Sequence, residues 1–297
     1  MWDLLIVGTG PAGVSAALTA RARGLSFLWF GSRRLSDKVE KAERILNYPG
    51  LSRVTGRELR DVCFSYGNTA LFTGLNAEIP AGKITAIVGP SGSGKTTLLN
   101  LIDRLYPLAK GTIAVDGRDI AGISLHSFRQ AVGYVTQESV MYSGTIRQNL
   151  LYGLDRTPDD RELDRVCEAV GILDFVQEQP EGYDTPVGEA GASLSGGQRQ
   201  RFSVARALLQ KSDILLLDEA TAAMDISGKD CVWKSIRTLM AGKTVVYVAH
   251  DAQTLQNADW ILVLEHGTVT AAGLRQTVMQ QSAFCREMMD LKGGASA

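Results

Sequence analysis

The run Gly89-Pro90-Ser91-Gly92-Ser93-Gly94-Lys95-Thr96-Thr97 constrains this chain more than any other stretch. It has the form G-x-x-x-x-G-K-[ST] and follows the apolar run Ile84-Thr-Ala-Ile-Val88, as a strand feeding a phosphate loop should. The glycines let the backbone curl until successive N–H groups point inward at phosphate oxygens. Lys95 adds a point charge for the outer phosphates, and the Thr96 hydroxyl is a candidate Mg²⁺ ligand. Leu98-Leu-Asn-Leu-Ile102 reads as a helix, whose N-terminal dipole also favours an anion. A glycine-rich surface turn would account for the loop, but not for the strand before it and the helix after it. The stretch predicts a nucleotide site.

Composition narrows the partners. At 297 residues the chain has room for one large domain or two modest ones. A net charge of −1 leaves no basic excess, so nucleic acid is not an expected partner. The longest apolar runs, such as Ile214-Leu-Leu-Leu217, are strand-sized. They fall well short of the ~20 residues a membrane helix needs. The N-terminal run Met1-Trp-Asp-Leu-Leu-Ile-Val-Gly8 lacks the basic region and long apolar core of a signal peptide. Cys63, Cys167, Cys231 and Cys285 lie far apart with no C-x-x-C, which fits reduced cytosolic thiols better than a disulfide framework or a zinc site.

The first segment, residues 1–57, has a different character. Leu4-Leu-Ile-Val7 is a buried-strand pattern, followed by Gly8-Thr-Gly10-Pro-Ala-Gly13, an Ala-rich helical stretch to Arg23, and the strand pattern Phe27-Leu-Trp-Phe30. A βαβ start with G-x-G-x-x-G is a dinucleotide fingerprint in its proper context, with Gly8, Gly10 and Gly13 as candidate FAD contacts. The acid expected about 20 residues on is missing, because the second strand runs into Gly31-Ser32-Arg33-Arg34. With Lys41-Ala-Glu-Arg-Ile-Leu-Asn-Tyr-Pro-Gly50, the segment resembles the N-terminal end of a flavin-dependent thioredoxin reductase. That resemblance implies a redox-active cysteine pair and a second nucleotide-binding half, neither of which is found here. Two parallel strands and one helix cannot cover both faces of a sheet or enclose a flavin. FAD is therefore not expected, and the segment reads as a truncated, Rossmann-like piece.

Residues 58–297 follow without a linker: Thr55-Gly56-Arg57 passes directly into Glu58-Leu-Arg-Asp-Val-Cys-Phe-Ser-Tyr-Gly67, which has a strand's alternation. Downstream, Ser212-Asp-Ile-Leu-Leu-Leu-Asp218-Glu219 is an apolar strand ending in two acids. Beside a phosphate loop, the first acid suits the Mg²⁺ shell and the second can polarise an attacking water. Leu194-Ser195-Gly196-Gly197-Gln198 precedes a helical pattern from Arg199 to Leu209, so its N–H groups sit at a helix N-terminus that favours phosphate.

In this order the motifs resemble the ATP-binding-cassette (ABC) ATPases, whose signature Leu-Ser-Gly-Gly-Gln is matched letter for letter at 194–198. The resemblance covers about 240 residues. It implies an α/β fold: a phosphate-loop NTPase core with an antiparallel β subdomain and a helical signature subdomain. It implies MgATP as substrate, with Tyr66 stacked on adenine, and Thr96, Gln137 and Asp218 around Mg²⁺. Glu219 would be the general base and His250, after Thr244-Val-Val-Tyr-Val-Ala249, would contact the γ-phosphate. In this family residues 194–198 close over the ATP of a second such domain, and Asp225 helps to join the two. Whether that second copy is identical stays open.

The stretch Gln137-Glu-Ser-Val-Met-Tyr-Ser-Gly-Thr-Ile-Arg-Gln-Asn-Leu150 resembles exporters, which implies a transmembrane partner and a place at the inner face of a cell membrane. Two stretches depart from the usual pattern: Ala222-Ala-Met-Asp225 where Ser-Ala-Leu-Asp is common, and Pro186 where exporters often carry Glu. Pro186 bears on coupling to the membrane partner, while the retained Glu219 keeps the ATPase chemistry. The competing expectations are a flavin or pyridine-nucleotide oxidoreductase and a non-transport ABC protein. The second usually carries paired cassettes or long coiled-coil insertions, and this chain has neither.

Overall fold

A computed structural model of the protein describes residues 4–7, 27–30, 56–188, 191 and 194–290. The chain divides into two units, Met1–Pro49 with Ala121–Phe128, and Gly50–Ile120 with Arg129–Ala297. In the first, β1 (Leu4–Val7) and β2 (Phe27–Phe30) pair in parallel, with Leu4 opposite Phe27 and Val7 opposite Phe30. Gly8, Gly10, Gly13 and the expected helix behind them lie outside the described residues.

The second unit opens on β3 (Gly56–Tyr66), antiparallel to β4 (Thr69–Pro80). Gly56 and Arg57 already pair with Pro80 and Ile79, so Arg57 shares its strand with the residues that follow it. The alternation expected over Glu58–Gly67 is interrupted. Leu59, Val62 and Phe64 face inward, and a bulge with Asp61 at φ 49° makes up the extra residue between Leu59 and Val62.

β5 (Ile84–Val88) is buried at every position, as a central strand between two covered faces must be. The loop 89–94 joins it to α1 (Lys95–Ile102), and β6 (Lys110–Val115) and β7 (Arg118–Asp119) complete a four-stranded antiparallel sheet in the order β4-β3-β6-β7. In chain order α2 (Leu125–Ala131) follows, with its residues up to Phe128 in the first unit, and then β8 (Val132–Val135) in the second.

A mainly helical stretch follows: β9 (Gly144–Thr145), α3 (Ile146–Leu151), α4 (Asp160–Ala169), α5 (Leu173–Gln177), β10 (Pro186–Val187) and α6 (Gly196–Leu209). β9 and β10 pair with Thr145 opposite Pro186, which puts the exporter-like stretch beside the departure at Pro186. The chain then alternates through β11 (Ile214–Leu217), α7 (Ile226–Leu239), β12 (Thr244–Val248), α8 (Ala252–Leu255), β13 (Trp260–Glu265) and β14 (Thr268–Leu274). It closes with α9 (Arg275–Gln281) and α10 (Ala283–Asp290).

Among the described residues the main sheet has six strands in the order β14-β13-β5-β12-β11-β8. All are parallel except the edge strand β14. β11 and β12 are buried at every position, with α6 and α7 supplying Phe202, Val204, Leu208, Val232, Trp233 and Ile236 to the core. No described helix is long and apolar enough to cross a membrane. All four cysteines are free thiols, with Cys167 and Cys285 buried.

Candidate nucleotide site

Four parallel strands deliver the site. Val88 ends β5, and Val248, Leu217 and Val135 end β12, β11 and β8 in neighbouring register. The residues after those ends are therefore Gly89, His250, Asp218 with Glu219, and Gln137, all beyond the carboxyl edge where open α/β sheets bind ligands.

The loop is shaped by what its glycines touch. At Gly89, φ is +152° and an added Cβ would lie 2.0 Å from the Leu264 carbonyl oxygen. At Gly94, φ is +99° and a Cβ would lie 2.7 Å from Phe72 Cζ, so the antiparallel sheet presses directly on the loop. Pro90, Ser91 and Gly92 are exposed, and Gly92 at φ +80° has open space around its Cβ position. Ser93 is buried with its Oγ lacking a hydrogen-bond partner. A cradle that is open at Gly92 and holds one unsatisfied hydroxyl fits an anion with oxygen acceptors.

Lys95 is buried and donates from Nζ to the carbonyls of Gly89 and Pro90, at 2.9 Å each. Burial pushes its ammonium below the usual lysine range, while Glu219 and Asp218 pull it back up. The Thr96 hydroxyl donates to Asp218 Oδ1 at 3.1 Å, linking the loop to the end of β11. Burial raises Asp218 above the usual carboxylate range, and the Thr96 hydrogen bond opposes that rise. Thr97 is buried, and its Oγ1 lies 3.1 Å from the hydroxyl of Tyr66. Tyr66 closes β3 and brings a half-open ring to the edge of the phosphate loop.

Glu219 follows Asp218 with a left-handed backbone, φ 50°, and His250 Nε2 lies 2.9 Å from its Oε1. Gln137 is exposed, two residues past β8. Gln200 adds a contact that the motifs do not announce. Buried on α6, it donates to the Glu219 carbonyl at 3.3 Å and accepts from the Ala223 N–H at 2.8 Å. No local pattern marks a glutamine for that role, because both partners come from another part of the chain.

The signature run sits at the start of α6. Leu194 is buried, and Ser195 is the N-cap. Ser195 Oγ accepts from the Gln198 N–H at 3.1 Å, while Gln198 Oε1 accepts from the Ser195 N–H at 2.8 Å. This reciprocal box leaves Gly196 and Gly197 in the first turn with half-exposed backbone. Asp225 caps α7 by accepting from the Gly228 N–H at 3.2 Å, and Arg201 Nη2 stands 3.6 Å away.

Comparison with known proteins places this geometry. The family model described as ABC transporter matches residues 72–222. An ATP-dependent lipid A-core flippase of Desulfotalea psychrophila is 44% identical over 223 residues, covering 75% of this chain and 39% of that protein. The flippase of the same description from Syntrophus aciditrophicus is 42% identical over 244 residues, 82% of this chain and 40% of that one. Among solved structures, a bacterial Atm1-family ABC exporter with ATP bound superposes with a TM-score of 0.79 at 36% identity, over 84% of this chain and 44% of its own. The chain thus spans about two-fifths of the length of these relatives. A phosphate loop, an acid-tipped strand and a capped signature helix on one sheet edge, together with these matches, show that the chain belongs to the ABC transporter family and carries its ATP-binding domain.

Proposed function

We propose that residues 58–297, with a first strand that reaches back to Gly56, form a Mg²⁺-dependent ATPase that powers transport through a membrane-embedded partner, and that the reductase-like stretch before that strand takes no part in the chemistry. One arrangement carries this conclusion: Thr96 bonded to Asp218, and His250 beside Glu219, on adjacent strand ends next to an anion cradle.

Each side chain has a task that suits its surroundings. ATP phosphates lie in the loop 89–97, where Lys95 meets charged oxygens, better acceptors than the two neutral carbonyls it now contacts. Tyr66 offers its open ring to adenine. Mg²⁺ takes few protein ligands and completes its shell with water and substrate phosphates. One carboxylate, Asp218, with the Thr96 hydroxyl and the exposed Gln137 amide, fits that habit. The ion supplies charge neutralisation at the phosphates. Glu219 accepts the proton of the attacking water, and His250, held against it, contacts the γ-phosphate.

The half-exposed N-terminus of α6 serves the ATP of a second such domain, and Asp225 at the head of α7 lies at the joint. The paired strands β9 and β10 gather the exporter-like stretch and Pro186 into one patch, which suits contact with a transmembrane partner; such a partner would hold the protein at the inner face of the membrane.

ATP turnover measured over a range of protein concentrations, beside Glu219→Gln, tests this. Turnover should rise faster than linearly with concentration and fall by about 10²- to 10⁴-fold in the variant. Strictly proportional turnover would remove the two-domain site, and undiminished turnover in Glu219→Gln would remove the base.

A further inference from the structure

Tyr66 stands at the end of β3 with 49% of its surface exposed, yet three neighbours hold it. Phe64, on the same face of the strand, meets its ring edge-to-face at 4.9 Å and 89°. Tyr106 meets it edge-to-face at 5.9 Å and 84°, and itself tilts against Phe64 at 5.6 Å. The Tyr66 hydroxyl is tied to Thr97 Oγ1 at 3.1 Å.

Tyr106 reaches this place through the way α1 ends. Arg104 adopts a left-handed conformation at φ 59°. The Leu105 N–H then returns to the Asn100 carbonyl at 2.8 Å, and the Arg104 N–H to Leu101 at 3.1 Å. This is a Schellman reversal, built here without glycine. It turns the chain back so that a residue past the phosphate-loop helix packs on a residue of the antiparallel sheet.

We propose that Tyr106 is a positioning residue for the nucleotide base, acting by fixing the Tyr66 ring before the base arrives. This rests on Tyr66 being the adenine platform. A half-exposed tyrosine at a strand end is free to turn about its side-chain bonds, and ordering it during binding costs affinity. Tyr106 and Phe64 remove that freedom at the body of the ring, and Thr97 at its tip. The hydroxyl of Thr97 belongs to α1, so base and phosphate ends share one rigid reference. Edge-to-face packing needs the ring of Tyr106 and not its hydroxyl.

Binding of MgATP and of magnesium tripolyphosphate, which has phosphates but no base, separates the roles. Tyr106→Ala should weaken MgATP binding about threefold to tenfold, the range for an aromatic pair, and leave tripolyphosphate binding unchanged. Tyr106→Phe should bind MgATP as the wild type does. Tyr66→Ala combined with Tyr106→Ala should bind MgATP no more weakly than Tyr66→Ala alone. Equal losses for both ligands, or additive losses in the double variant, would overturn the role of Tyr106. A wild-type protein that holds tripolyphosphate as tightly as MgATP, with Tyr66→Ala silent, would instead remove Tyr66 as the platform.

Discussion

His250 Nε2 lies 2.9 Å from Glu219 Oε1, at the ends of two adjacent parallel strands, β12 and β11. The contact forms in spite of an uncommon backbone: Glu219 is left-handed at φ 50°, a conformation that side chains other than glycine adopt at a cost. Surrounding structure has to impose it, and the two hydrogen bonds of Gln200 across residues 219–223 do so from α6.

If Glu219 takes the proton of the attacking water, Glu219→Gln lowers kcat by about 10²- to 10⁴-fold, the usual worth of a general base, with MgATP still bound. His250→Ala lowers kcat less. Because the pair acts as a unit, the double variant should be no slower than Glu219→Gln alone. Steady-state turnover of the three variants decides, and multiplied losses would show that the two act independently.

Gln200→Leu keeps the volume of a buried side chain and removes both ties to the segment after Glu219. Loss of the two bonds should cost about 1–2 kcal/mol of stability. The expected mark is a several-fold fall in kcat at nearly constant KM, since the loop that binds phosphate is untouched. A fall in KM-linked affinity with normal kcat would contradict it.

The loop glycines should differ in the severity of their alanine variants. Gly92→Ala meets no atom within 4 Å and faces only the left-handed strain at φ +80°, about 1–2 kcal/mol. Gly94→Ala carries the strain of φ +99° and also drives a methyl group to 2.7 Å from Phe72 Cζ. Overpacking adds about 1–3 kcal/mol. Urea midpoints should rank wild type above Gly92→Ala above Gly94→Ala, and the reverse order of the two variants would refute the contact with β4.

Asp103, wholly buried at the end of α1, is pushed by burial from its ordinary 3.8 up to about 6, with Arg129 and Arg57 opposing the rise. Arg129 Nη1 holds it at 2.5 Å. The raised value means the folded protein binds this proton more tightly than the unfolded chain does. Its effect on stability is absent below pH ~4, grows unfavourably as pH climbs towards ~6, and is constant above. Asp103→Asn does not titrate there. The wild type should therefore lose up to about 3 kcal/mol relative to Asp103→Asn across that window. Parallel thermal melts at pH 4, 5, 6 and 7 check it, and a pH-independent difference between the two proteins would exclude it.

The strands that carry the motifs were legible because Ile84–Val88, Ile214–Leu217 and Thr244–Val248 are short, dense apolar runs. Runs of four or five such residues are too short for a helix and fit a strand buried on both faces. The helix after Gln198 was legible as well, though its first turn reaches back to Gly196 once the Ser195–Gln198 box is formed. The bulge at Asp61 was not. Alternation looks continuous through Glu58–Gly67 in the letters, and only pairing with β4 and β6 shows that it slips. Tyr106 was hidden for a similar reason: Arg104 carries no glycine-like cue for the left-handed turn that brings it back to Tyr66.

What the sequence determined by itself is local. The phosphate loop, the acid-tipped strand and the signature cap depend on backbone freedom at glycines, short apolar runs and side chains that bond their own neighbouring N–H groups, and each is complete within about ten residues. What only the tertiary structure decided is which strand lies beside which. Placing β12 between β5 and β11 sets His250 against Glu219, and Thr96 reaches Asp218 across the same edge. Parallel strands joined by helices carry no neighbour information in their own residues. Their order is set by how all the crossover helices pack at once, and the chemistry of the site exists only after that packing is complete.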